Sequence, residues 1–406
     1  MLTSAGVPVK TVAEPSASGQ KATVMICFSH LRWDFVFQRP QHLMSRFARS
    51  MRVIYWEEPM DIGQRETPYL KVRDAGEGVT TIVPHLPAGT PQNAREATLQ
   101  RLLDAHVASQ VGSHGGRLIT WYYTPMMLPF SHHLDANLVV FDAMDELSKF
   151  RFAPPKLLAL EQELIDMSDI VFTGGSSLYE AKKDRHSNVH CFPSSVDRAH
   201  FTKARSRLFD PADQEDVPRP RFGFYGVIDE RFDTALLDRI AELRPDWSFV
   251  MVGPVVKIAP EDLPRRHNIH YLGPKTYKEL PAYLAGWDVA LMPFAMNEST
   301  EFISPTKTPE YLAGGRPVVS TPVKDVVRHY GHLEGVKIAA DADSFVAACD
   351  QALELSRNPE GGWLGEADLM LSSSSWEVTF ARMSGLVREL LAEHAPADEE
   401  LLVAAE

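Results

Sequence analysis

Cysteine is scarce: Cys27, Cys191 and Cys349 are the only three among 406 residues. None sits in a CxxC pair or at Cys/His ligand spacing, which argues against structural zinc. Their wide separation reads as reduced, cytosolic thiols. No apolar run reaches the ~18 residues that span a bilayer. The stretch Met1 to Lys21 lacks the apolar core of a secretory signal, and no basic amphipathic helix stands out. A cytoplasmic protein is expected, touching the inner face of a membrane only peripherally. Basic excess is missing too. The formal charge is −13, whereas a nucleic-acid partner calls for a clustered basic face. A local basic pocket for one anionic group stays compatible with that balance.

What remains is ordinary globular composition, 44% hydrophobic and 23% charged, with length enough for two domains. Residues 1–20 read as a disordered leader. From residue 21, short apolar runs alternate with stretches of helical length. The runs are Ala22–Phe28, Val53–Trp56, Thr81–Val83, Leu118–Tyr122, Leu138–Phe141, Ile170–Phe172 and Val189–Phe192. Continuous apolar strands between helices indicate a parallel sheet covered on both faces. The acidic, Pro-rich segment 205–220 has linker composition. The rhythm restarts at Phe222–Tyr225, Ser248–Val252, Ile269–Leu272, Val289–Met292, Pro317–Ser320 and Val336–Ala339. The expected architecture is therefore α/β, with two Rossmann-like domains, 21–204 and 221–375, facing across a cleft. A last helix and acidic tail, 376–406, return to the first domain. Ligands in such sheets sit beyond the carboxyl ends of the strands.

The densest chemical signal is Asp288 to Ser320: a strand, a polar loop, a helix start, a Gly-rich helix end and a second strand. The loop delivers Ser304, Thr306, Lys307 and Glu310 near a helix start. Lys307 would face a diphosphate, and Glu310 could accept hydrogen bonds from vicinal ribose hydroxyls. A first-turn glutamate is also favoured by the helix dipole alone. Pro309, one turn beyond Pro305, would break a helix begun at Pro305. The helix is expected to start with Thr308 as cap and Pro309 as first residue, leaving Lys307 in the loop.

At these residues the sequence resembles the GT-B glycosyltransferases of the group 1 (family 4) type, and within them the teichuronic-acid and exopolysaccharide subgroup. The stretches Arg32–Leu43, Val140–Leu147, Thr173–Leu178, Phe192–Phe201, Gly223–Asp233, Leu272–Pro281 and Ser304–Val319 carry the resemblance in this order. It implies a glycosyltransferase acting without a metal or other cofactor, with retention of configuration. The donor would be a nucleoside diphosphate sugar, a UDP-sugar first, and the acceptor a glycan or lipid-linked glycan. Glu310 would match the ribose-binding glutamate, Lys307 and Arg231 would face the diphosphate, Gly226 would lie at the same strand end, and Gly273 and Pro274 would lie beside the base. Ser29 to Trp33 would match the loop that closes over phosphates and acceptor, and Asp142 and Asp145 would sit in the cleft. The family often carries a second glutamate eight positions before the ribose one; here Phe302 stands there, beside Glu301.

Several residues keep two readings. His30, at a strand end, is a candidate for catalysis or phosphate contact, or a plain polar loop residue. Asp142 is an acceptor-side base or a helix cap. Arg39 is an anion contact or a solvated charge. Asp341 and Asp343 have DxD spacing, and His132, His133 and Asp135 lie together, but neighbouring histidines on a strand point apart. Three functions stay open: transfer, a sugar-nucleotide epimerase or sugar phosphorylase of the same architecture, and a non-catalytic nucleotide-sugar-binding partner subunit.

Overall fold

A computed structural model describes residues 23–112, 116–206, 209–304, 306–358 and 362–394. The leader 1–20 and the acidic tail lie outside them. The first sheet holds β1 (Val24–Ser29), β2 (Arg52–Glu57), β3 (Met60–Ile62), β4 (Tyr69–Asp74), β5 (Val79–Pro87), β6 (Leu118–Tyr122), β7 (Leu138–Ala143), β8 (Ile170–Thr173) and β9 (Val189–Cys191). Its order is β3-β5-β2-β1-β6-β7-β8-β9, parallel throughout except β4, which lies antiparallel on β5. The second sheet holds β10 (Arg221–Tyr225), β11 (Ser248–Val252), β12 (Ile269–Gly273), β13 (Val289–Met292), β14 (Val318–Ser320) and β15 (Val336–Ile338). It runs in the order β12-β11-β10-β13-β14-β15, all parallel.

The apolar runs behave as their composition dictates. β1 is buried at every position, with Met25 and Cys27 in one core cluster and Val24, Ile26 and Phe28 in another on the opposite face. In both sheets the strand order reverses beside the first strand, between β1 and β6 and between β10 and β13. The crevices at those reversals open beyond the carboxyl ends, where ligands bind in this class of sheet.

Segment 205–220 is not a free tether. Its Gln214 is fully buried; it accepts a 2.9 Å hydrogen bond from Trp287 Nε1 and donates to the Tyr283 carbonyl at 3.2 Å. Asp210 takes a 2.7 Å bond from Arg221. Helix Trp376–Glu393 places Trp376, Met383, Val387 and Leu391 in the same core cluster as β1. Its Phe380 packs on Phe47 of helix Arg39–Phe47, ring centroids 4.9 Å apart. No helix among the described residues is long and apolar enough to cross a membrane.

Candidate active site

Three adjacent strands end in glycine: Gly226 after β10 (φ 149°), Gly253 after β11 (φ 146°) and Gly273 closing β12 (φ 70°). The chain needs glycine here, because such φ values strain any residue with a Cβ. The layers are also too close for one. A Cβ on Gly253 would lie 1.8 Å from the Gly226 carbonyl oxygen. Gly253→Ala is therefore expected to destabilise the protein by several kcal/mol, on the order of 3, measured by urea unfolding; wild-type stability would refute the close approach.

These strand ends floor a cavity of about 440 Å³. Its opposite wall is the loop Trp33–Phe37 of the first domain, so the cavity lies between domains. Helix Lys307–Ala313 contributes Lys307 and Glu310. The helix begins one residue before the expected cap: Thr306 is its N-cap and Lys307 its first residue, not a loop residue. Pro309 is tolerated as the third helical residue because the first four helical N–H groups have no intrahelical acceptor. The Lys307 ammonium lies 5.9 Å from the Tyr225 ring centre and bonds Thr306 Oγ1 at 2.8 Å.

Glu310 is 8% exposed, and its Oε2 has no hydrogen-bond partner. The hydroxyls of Tyr225 and Tyr277 are buried and unpartnered too. Burial pushes the Glu310 carboxyl above its ordinary range, while the charge of Lys307 pulls it back. Buried polar atoms without partners cost about 1–3 kcal/mol each. Hydroxyl groups of a ligand would satisfy them. Tyr277 also bridges the domains, stacked on Phe37 at 4.7 Å. Neither tyrosine stood out in the sequence, because an aromatic residue at a strand end or before a helix reads as core; the signal was Tyr225 lying directly before a strand-end glycine.

The other expected residues divide. Trp33, Gly226 and Pro274 line the cavity, and Gly273 immediately precedes Pro274. Ser304 does not: it lies against Gly175 and lines a smaller hollow of about 180 Å³ with Asp325 and His329. Ser29 is fully buried and accepts bonds from Tyr55 Oη at 2.7 Å and Leu31 N at 3.1 Å, so it fixes the loop rather than meeting an acceptor. Asp142 and Arg39 are corrected as well. Their side chains are 0% and 1% exposed. Arg39 Nε bonds both Asp142 oxygens at 3.0 Å, Nη2 bonds Oδ1 at 2.8 Å, and Nη1 bonds the Phe192 carbonyl at 2.7 Å. A carboxylate locked this way is not placed to take a substrate proton. Asp341 caps helix Ala342–Arg357 through Ser344 N. His133 pairs with Asp104, and His132 bonds the Leu128 carbonyl. No group of three or more His, Cys, Asp or Glu among the described residues could hold a metal ion.

Residues 219–355, which carry Gly226, Arg231, Gly273, Lys307 and Glu310, match the family described as Glycosyl transferases group 1. The Bacillus subtilis (strain 168) protein TuaH, described as a glycosyltransferase of teichuronic acid biosynthesis, is 26% identical over 278 residues, 63% of this chain and 68% of that one. Over residues 219–355 the chain is of the group 1 glycosyltransferase type. Solved structures share its fold. Sucrose-phosphate synthase from Thermosynechococcus elongatus superposes with a TM-score of 0.62 at 16% identity, covering 91% of this chain and 100% of that one. An E. coli trehalose-6-phosphate structure bound with UDP-2-fluoro glucose gives 0.62 at 14% identity, covering 91% and 99%. The two facing domains are the GT-B arrangement.

Beside the cavity, the glycosyltransferase gathers charges from both domains. Arg231 is largely engaged by Asp229, with Nε at 2.9 and 3.1 Å and Nη2 at 2.6 Å from its oxygens. Its guanidinium and the Lys257 ammonium lie 5.2 and 4.6 Å from the centre of the Phe150 ring of the other domain. Burial, then Lys257, lower the His30 pKa to about 4, so at neutral pH its ring is a neutral imidazole. Burial raises Asp145 from 3.8 to about 6; Arg231 and Lys257 oppose the shift, Asp229 and Glu146 add to it. The stability Asp145 contributes is then fully present below pH 3.8 and lost as pH rises through about 6. Asp145→Asn, fixed in the neutral form, is expected to exceed wild type at pH 8 by on the order of 2 kcal/mol, with the gap closing below pH 4. Urea unfolding at both pH values checks this; a gap independent of pH would contradict it.

Proposed function

We propose that this glycosyltransferase moves a sugar from a nucleoside diphosphate sugar, a UDP-sugar being the first to test, to a hydroxyl of a glycan or lipid-linked glycan. The observation that carries the reading is Glu310: a buried carboxylate with an unpartnered oxygen, beside Lys307, at the floor of the interdomain cavity. Glu310 would accept hydrogen bonds from the ribose hydroxyls. Lys307 would meet the charge that grows on the diphosphate as the bond to the sugar breaks; such stabilisation is often the largest single term in catalysis. Pro274 and Gly273 would lie beside the base, and the aromatic loop Trp33–Phe37 would exclude water. No protein metal ligand enters this scheme. Retention of configuration is carried over from the family resemblance. The B. subtilis relative's description points to a polysaccharide acceptor, and a lipid-linked one would bring a cytoplasmic enzyme to the inner membrane face. Calorimetric titration with UDP, GDP and ADP tests the reading. Micromolar binding of one of them supports it and names the base; a folded protein that binds none overturns it.

A further inference from the structure

A second group of unsatisfied atoms lies outside the nucleotide cavity's lining. Glu230 stands four residues beyond Gly226, on the loop that leaves β10. Its side chain is 11% exposed, and neither Oε1 nor Oε2 has a hydrogen-bond partner. The nearest cation, Lys257 Nζ, is 3.6 Å from Oε1, too far for a hydrogen bond. The loop itself is pinned. Asn297 Nδ2 donates to the Glu230 carbonyl at 3.1 Å, and Ala295 N to the Arg231 carbonyl at 2.8 Å. The backbone therefore fixes where the carboxylate stands, and Lys257 pairs with it as an ion without satisfying its hydrogen-bond acceptors. Across the cleft, buried His30 Nδ1 is unpartnered as well, and Lys257, which sits on Phe150 of the first domain, acts on His30 electrostatically. Lys257 is the common neighbour of both groups and is held at φ 61°, a left-handed conformation that costs a non-glycine residue energy and concentrates at functional positions.

Two acceptor oxygens on one rigid carboxylate, with a neutral imidazole and an ammonium nearby, suit the adjacent hydroxyls of a pyranose. The loop leaves β10 at Gly226, against which Lys307 lies; a diphosphate held by Lys307 would bring its attached sugar toward this side. Resting on the nucleotide-sugar reading above, we propose that Glu230 is a specificity-determining residue: it binds hydroxyls of the sugar being transferred and leaves the nucleotide untouched.

Paired titrations separate the two. Each free nucleotide (UDP, GDP, ADP) is compared with its sugar form (UDP-glucose, GDP-mannose, ADP-glucose) on wild type and on Glu230→Gln. For the pair that binds, the variant is expected to hold the free nucleotide within about twofold and to lose about tenfold or more on the sugar form, as for lost hydrogen bonds to a charged acceptor. Equal loss on both, or loss on neither, overturns the proposal; so does a change confined to turnover, which would assign the carboxylate to the acceptor. Should Glu230→Gln fail to fold in a melting scan, Glu230→Asp is judged by the same ratio. Absence of all binding in wild type would instead strike the nucleotide-sugar reading and this proposal with it.

Discussion

Glu310→Ala is expected to lose nucleotide binding by about a hundredfold and, at the same time, to gain stability in the ligand-free state. Both signs follow from one observation. The carboxylate is buried, raised above its ordinary range by that burial, and has an oxygen without a partner. Holding it there without ligand is unfavourable, so removing it relieves the folded protein, by about 1 kcal/mol once the small cavity left behind is counted. With ligand, each hydrogen bond to the charged acceptor is worth about 1.5–3 kcal/mol, and two at the lower figure give roughly two orders of magnitude in Kd. The pH dependence has a definite direction. Because burial raises the carboxyl, nucleotide affinity should begin to fall, as the solution is acidified, at a higher pH than an exposed glutamate would require. Calorimetry and thermal unfolding of the same preparation check both signs. Weaker binding with lowered stability would mean that Glu310 is a packing residue whose loss distorts the cavity.

The buried pair Arg39–Asp142 carries the second large effect. Arg39→Met leaves the Asp142 carboxyl at 0% exposure with its three-bond partner gone, and breaking a buried pair in this way costs about 3–5 kcal/mol. That approaches the whole stability of an ordinary domain, so little folded protein is expected at 37 °C. The double variant Arg39→Met, Asp142→Leu removes both charges and should recover most of the loss, since apolar replacements of buried pairs are often neutral. It should also transfer sugar at near wild-type rate. A double variant that folds and is inactive would return Asp142 to the chemistry and refute its assignment as a purely internal anchor.

That pair shows where the sequence stops speaking. Arg39 and Asp142 are separated by 103 positions; each alone, at a helix start and a strand end, looks like a site residue, and only the fold reveals that they satisfy one another. The strands of both sheets were legible because burial on both faces leaves unbroken apolar runs. β3 and β4 were not: β4, Tyr-Leu-Lys-Val-Arg-Asp, is mostly exposed at the sheet edge, and its alternation is too polar to read as a strand. Glu310 and Lys307 were legible from their place after β13. Tyr277 and Glu230 were not, because what marks them is an unpartnered oxygen in the interior, a property of packing with no local pattern in the chain.

The helix Trp376–Glu393 has a consequence for how the molecule can be made and cut. It supplies part of the core around β1, although the whole second sheet lies between the two in sequence. The first domain is thus discontinuous, with the second inserted into it. On the ribosome the second sheet can close before the first domain has its last helix, so the half synthesised first is completed last. A chimera meant to exchange the second domain must graft the insert between residue 209 and the loop before Trp376. Cutting the chain in two at the acidic segment would leave one piece without its core helix and the other carrying an apolar helix with nothing to cover it.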